Sequence, residues 1–139
     1  IATEVAFVDV PRVVDSSAQV QALKKEQQAK AKEIVSFVEK ARKEVAATTD
    51  KAKKQSLEEK YNKELQAKKE KMDKEYAEKL QKIEAYISDI VNTQAKQKGY
   101  DMVLSKGVVL YGASDITQDV IKAVQTADKA QNSKNTKKK

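Results

Sequence analysis

Residues 56–91 read SLEEKYNKELQAKKEKMDKEYAEKLQKIEAYISDIV, and this stretch decides the fold. Its apolar stripe runs through Leu57, Tyr61, Leu65, Met72, Tyr76, Leu80, Ile83, Ile87 and Ile90, with Lys68 and Lys79 standing in stripe positions. The spacings go four, four, three and repeat. That eleven-residue period belongs to a helix, and it favours a straight or slightly right-handed helix pair over a tight left-handed supercoil. The two lysines make the seam thin, so the pairing is weak and flexible.

Outward from there, residues 16–98 contain no Gly and no Pro, and most are good helix formers. Ser16 and Gln19 fit a capping box at the start. Gly99 stands where a left-handed residue closes a helix, with Lys96 and Lys98 in the last turn. Unbroken, such a helix runs about 125 Å at about 1.5 Å per residue. A hairpin is expected instead, because Ala46-Ala47-Thr48-Thr49-Asp50 interrupts the stripe. The turn is placed at 47–50, with Thr49 or Asp50 as N-cap. Ser56, with Glu59, is a second candidate break. The first helix carries Val20, Leu23, Gln27, Ala31, Ile34, Val38, Ala41 and Val45, close to a heptad.

The flanks have a different texture. Residues 4–10 are apolar on both alternating faces and stop at Pro11, which predicts a strand buried on both sides. Asp101–Leu104 and Val108–Tyr111 surround Ser105-Lys106-Gly107, which predicts a β-hairpin. Asp115-Ile116-Thr117-Gln118 is a plausible capped helix start, with Ile116, Val120, Ile121 and Val124 on its apolar face. The expected organisation is a body strand in 1–14, a helical hairpin arm in 15–98, a body β-hairpin and short helix in 99–128, and a disordered Lys-rich tail in 129–139.

Composition excludes a good deal. There is no Cys and no His, so no zinc finger, thiol nucleophile or Ser-His-Asp triad is available. Three glycines and the absence of G-x-x-x-x-G-K or G-x-G-x-x-G leave no phosphate-cradling loop. Paired carboxylates such as Glu58 and Glu59 fall on exposed helix, so no enzyme, cofactor or metal site is expected. No apolar run is long enough to span a bilayer. The chain begins at Ile1 without Met and is taken as a mature or trimmed form.

The net charge of +7 is unevenly placed. Residues 15–98 hold 20 basic and 15 acidic groups, the two body segments 3 and 6, and the tail 5 and none. The body therefore has about 44 residues (14 and 30) and no disulfide or metal to help it, which is short for independent folding. Open strand edges invite pairing with other copies, so an oligomer is expected, of unspecified number.

Ile1–Asp9, the Lys/Glu/Gln-rich hairpin, Tyr100-Asp-Met-Val-Leu104, Val109-Leu-Tyr111 and Asp115-Ile-Thr117-x-x-Val120 resemble the Skp/OmpH family of periplasmic chaperones over about residues 4–125. The turn Ser105-Lys-Gly107 and the Lys-rich tail depart from the family pattern. The resemblance implies an α+β, mostly α protein in which strands of three subunits assemble a small β-barrel body and each subunit projects a helical tentacle. It also implies an ATP-independent holdase of the periplasm that traps unfolded outer-membrane proteins between the trimer's arms.

On that reading Val35, Phe37, Tyr86 and Val91 are candidate client contacts on the arm. For Val35 and Phe37 the bland alternative, a wider seam within the hairpin, carries more weight. Lys40, Arg42, Lys43, Lys51, Lys53 and Lys54 form a basic tip suited to acidic chains or anionic lipid surfaces. Val5, Phe7, Val8, Val103, Val109 and Tyr111 are assigned to oligomerisation. Two rival classes remain: a basic protein binding nucleic acid or anionic surfaces, and a structural coiled-coil spacer. Interleaved acids and the lack of an aromatic–basic platform disfavour nucleic acid.

Overall fold

A computed structural model describes residues 3–137. Its elements are β1 (Val5–Val8), α1 (Val10–Asp15), α2 (Ala18–Ala47), α3 (Lys51–Gln97), β2 (Met102–Ser105), a single 3-10 turn (Lys106–Val108), β3 (Ser114–Asp115) and α4 (Thr117–Lys137). The chain is mostly helical. It divides into two compact units. The hairpin unit is Leu23–Lys79, and the sheet unit takes the chain up to Ala22 and from Leu80 onward. Both long helices contribute to each unit.

The helix boundaries follow local chemistry. Residues 48–50 join α2 to α3. The Asp50 carboxylate accepts the Ala52 N–H at 3.3 Å and its carbonyl accepts the Lys54 N–H at 2.9 Å, so Asp50 opens α3. Ser56 lies inside α3. At the far end Gly99 has φ +81, where any Cβ is strained. The Gly99 N–H reaches Lys96 O at 3.1 Å and the Tyr100 N–H reaches Ala95 O at 2.9 Å, a Schellman closure.

The start of α2 is one residue later than the expected capping box. Ser16 ends α1, and Ser17 is the residue whose hydroxyl receives the Val20 N–H. Asp128, only 4% exposed, accepts the Ala18 N–H at 2.9 Å and the Gln19 amide at 3.2 Å. One free helix-start donor, the Ala18 N–H, is thus met from α4 across more than a hundred residues of sequence, and the Gln19 side-chain amide is tied to the same carboxylate.

The sheet corrects the predicted β-hairpin. Its order is β2-β1-β3, and β1 pairs in parallel with both neighbours. Val5 stands opposite Met102 and Val8 opposite Ser105, while Ala6 and Phe7 stand opposite Ser114 and Asp115. Parallel pairing needs a long crossover, and α2 with α3 supplies it between β1 and β2. After β2 the chain turns at Lys106–Val108, where the Val109 N–H bonds Lys106 O, and passes to the other side of β1. Residues 109–113 pair with no strand. The Ser105-Lys-Gly107 loop therefore leads into a turn rather than back along β2.

Two further expectations are corrected. The first strand ends at Val8, because Asp9 caps α1 by accepting the Arg12 N–H at 3.4 Å and Pro11 sits in the first turn. Pro is well tolerated there, its missing N–H being one of the unpaired four. The tail expected to be disordered from 129 is helical to Lys137, because α4 continues through Ala, Gln and Lys and is pinned at its middle by Asp128. Lys138 and Lys139 lie outside the described residues.

The sheet unit's core is Ala6, Val8, Val13, Val20, Ile83, Ile87, Ala95, Ile116, Val120 and Val124, all buried. Thr117, 1% exposed, links the sheet to α4: its hydroxyl accepts the Asp9 N–H at 2.9 Å, while its N–H donates to Asp115 at 2.9 Å. The Thr117 hydroxyl, which also donates to Asp115, and then the Thr117 N–H hold the Asp115 carboxyl below the usual range. Apolar side chains are also left outside. Val108, Leu110 and Tyr111 are 73%, 103% and 98% exposed.

Candidate functional site

The hairpin unit pairs α2 and α3 through a ladder of polar rungs. Glu26 meets Lys79, Lys30 meets Glu75 at 2.9 Å, Phe37 lies under the Lys68 ammonium at 5.1 Å, and Glu44 accepts the Tyr61 hydroxyl. The rungs step four, seven and seven residues up α2 and the same number down α3. A single antiparallel register satisfies all four. Lys30 also reaches Glu26 at 3.1 Å, which joins the two lower rungs into one network. Lys68 and Lys79, which thinned the apolar stripe, are therefore rungs of the ladder.

Charge pairing perturbs these groups as expected. Bonds from Lys79 and then Lys30 hold the Glu26 carboxyl below its ordinary range, and Lys30 does the same to Glu75. Glu75 and then Glu26 push Lys30 up. The Glu44 carboxylate pushes the Tyr61 phenol up. All four are only half-buried, so each pair is screened by salt and contributes modestly. The carboxylates have depressed folded pKa values, so their contribution is present above about 4.5 and is lost as pH falls through the lower folded values. For Lys30, with its raised value, the contribution is present below about 10.5 and is lost as pH rises through the folded value. A spin-label pair introduced by Ala31→Cys and Lys74→Cys should give a narrow distance distribution at pH 6–9. It should broaden below about pH 4 and in molar salt. A distribution unchanged by both would remove the ladder from the forces that set the register.

Between the rungs the seam is incomplete. Toward the turn the two helices flank an open groove of about 550 Å³. Phe37, Val38, Ala41, Val45, Tyr61 and Leu65 line it, and the exposed Arg42, Lys54, Glu58 and Asn62 are among the rest of its lining. Phe37 and Tyr61 meet edge to face, with centroids 5.7 Å apart and planes at 76°. A smaller groove of about 210 Å³ lies between the Lys30 and Lys68 rungs, beside Ile34 and Met72.

The six basic residues of the tip are all exposed. Among the described residues none of them forms an ion pair. Of the acids nearby, Glu44 accepts from Tyr61 and Asp50 from the start of α3.

The other candidates are dispersed. Phe37 is half-buried in the seam and Val35 is 57% exposed on α2. Tyr86 and Val91 belong to the sheet unit and not to the hairpin unit. Tyr86 lies beside Asp89, Ile90 and Ala123, where burial and then the Asp128 charge raise its phenol. Val91 lines a third groove, of about 520 Å³, with Val8, Val14, Ile87, Val103 and Leu104. Of the residues assigned to oligomerisation, Val5, Phe7 and Val8 occupy the central strand and Val103 the strand beside it. Val109 is half-buried and Tyr111 exposed, both in the unpaired segment. Sequence reasoning missed Glu26, Lys30 and Glu75. The signal available was opposite charge at spacing four on each helix. It also missed Val108 and Leu110, whose exposure is legible only once residues 109–113 leave the sheet.

Among the described residues no helix is long and apolar enough to cross a membrane.

The family model described as "Outer membrane protein (OmpH-like)" matches residues 4–124. A crystal structure from Caulobacter crescentus CB15, described as a candidate outer membrane chaperone (OmpH-like), superposes with a TM-score of 0.61 at 14% identity. The match covers 91% of this chain and 86% of that one, and at such identity it speaks to the fold. No curated protein matches the sequence.

Proposed function

Since this chain belongs to the OmpH-like outer membrane protein family, we propose that it is a periplasmic chaperone that holds unfolded outer-membrane proteins without ATP. Three copies form the working unit: their strands complete a small barrel, and the three hairpins enclose the client. The observation that supports the holding role is the hairpin unit itself. It combines an incompletely closed apolar seam with six basic side chains that have no partner among the described residues. Many weak contacts on such a surface suit a client with no fixed shape. Basic tips attract acidic unfolded chains from a distance. Release follows when the client folds elsewhere.

The test is suppression of aggregation. A urea-unfolded outer-membrane β-barrel protein is diluted into buffer with the full chain, and light scattering is followed. Scattering is expected to vanish near one trimer per client, with a native mass of three times 15.5 kDa. Lys51→Glu with Lys53→Glu should slow capture about tenfold at low salt and little at 1 M salt. Equal loss at every salt concentration would argue against steering. Tight, salt-resistant binding to duplex DNA with no effect on scattering would sink the chaperone reading.

A further inference from the structure

The groove between α2 and α3 toward the turn has a volume of about 550 Å³, within the range of small-ligand sites. Its apolar lining includes two aromatic rings already set edge to face, an arrangement that a third ring extends at the same centroid spacing. The Phe37–Lys68 and Glu44–Tyr61 rungs include two of the lining residues, so the walls are held in register before anything binds. Arg42 and Lys54 against Glu58 leave the exposed lining with net positive charge, and neither cation is paired among the described residues. Arg42 also offers a guanidinium for stacking on a ring.

We infer that this groove is a side-chain pocket that takes an aromatic residue of an extended polypeptide flanked by carboxylates. The inference rests on the holding function proposed above and assigns it a recognition element: an aromatic residue enters the groove, and its acidic neighbours pair with Arg42 and Lys54. The pocket selects segments of an unfolded chain by local composition, while the rest of the hairpin contributes unspecific contacts. The partner is an unfolded protein segment, not a lipid, because the apolar lining is a groove of small-ligand size edged by Arg42 and Lys54, which meets one ring and its neighbouring carboxylates together.

The chain has no Trp, so a Trp in the probe reports binding alone. The probes are the blocked heptapeptides Gly-Ser-Asp-Trp-Asp-Ser-Gly and Gly-Ser-Lys-Trp-Lys-Ser-Gly, titrated with the full-length protein. The acidic peptide is expected to show a blue-shifted emission and to bind about tenfold tighter than the basic one. Arg42→Glu with Lys54→Glu should invert that preference. These positions are exposed, and circular dichroism verifies that the variant remains folded. Lys63→Glu with Lys69→Glu makes the same charge change at exposed positions outside the groove and should leave the preference within about twofold. Equal loss from both double variants would mean diffuse attraction and overturn the pocket. So would binding of the acidic peptide without a blue shift. Aggregation suppression is measured on the same samples. Peptide selectivity without suppression overturns the chaperone reading and keeps the pocket, whereas suppression without selectivity does the reverse.

Discussion

Val120→Asp is expected to abolish the cooperative thermal transition of the sheet unit. Val120 is 0% exposed on α4, among Ile116, Thr117 and Val124, which are also buried. Losing the buried valine removes about 1.5–3 kcal/mol of apolar transfer. A carboxylate there is buried among apolar side chains, and burying an unpaired charge costs several kcal/mol more. Together these approach the about 5–15 kcal/mol that stabilise a whole small domain. The measurement is near-ultraviolet circular dichroism of the tyrosines with a thermal melt. A variant that melts within about 3 °C of the parent would mean that α4 is not part of the core. The volume-matched Val120→Thr should fall between, because a hydroxyl can bond within its own helix turn.

How much of this was legible in the sequence depended on whether a feature was local. The eleven-residue stripe from Leu57 to Ile90 is a property of neighbouring residues, and its apolar members are the half-buried and buried side of α3. Caps are equally local: Gly99 closes α3 and Asp50 opens it, each by bonds within five residues. The sheet depends on separation in sequence. Asp101-Met-Val-Leu104 and Val108–Tyr111 have the same texture, and nothing in composition says that the first pairs β1 in parallel while the second pairs with nothing. The parallel arrangement is set by the crossover through α2 and α3, which no short window contains. Asp128 illustrates the same limit. In sequence it heads a run of Lys and Asn, and its buried role depends on Ala18 and Gln19. The groove near the turn was visible only in pieces. Phe37 and Tyr61 were read separately, one as a client contact and one as a stripe residue, and only the antiparallel register brings them together.

If the proposed trimer is the native state, Leu110→Asp combined with Tyr111→Asp is expected to reduce the mass from three times 15.5 kDa to one, with the sheet unit still folded. In the single chain these side chains touch little: Leu110 is 103% and Tyr111 98% exposed, and residues 109–113 pair with no strand. Their removal therefore leaves the core of Val13, Ile116, Val120 and Val124 intact. Three large apolar groups in four residues, beside a sheet with two open edges, are what a partner strand covers. Full burial of Leu110 and Tyr111 contributes about 3–6 kcal/mol per protomer, so losing it weakens association by about a hundredfold or more. Two carboxylates forced together at the same place add repulsion on top of that loss. Multi-angle light scattering over a dilution series reads the mass, and a melt at the same concentrations reads the fold. A variant that keeps the parent mass at micromolar concentration would show that the assembly uses another surface, and would return Val108–Tyr111 to the exposed loops. A variant that dissociates and unfolds together would mean that the sheet unit cannot stand without its neighbours.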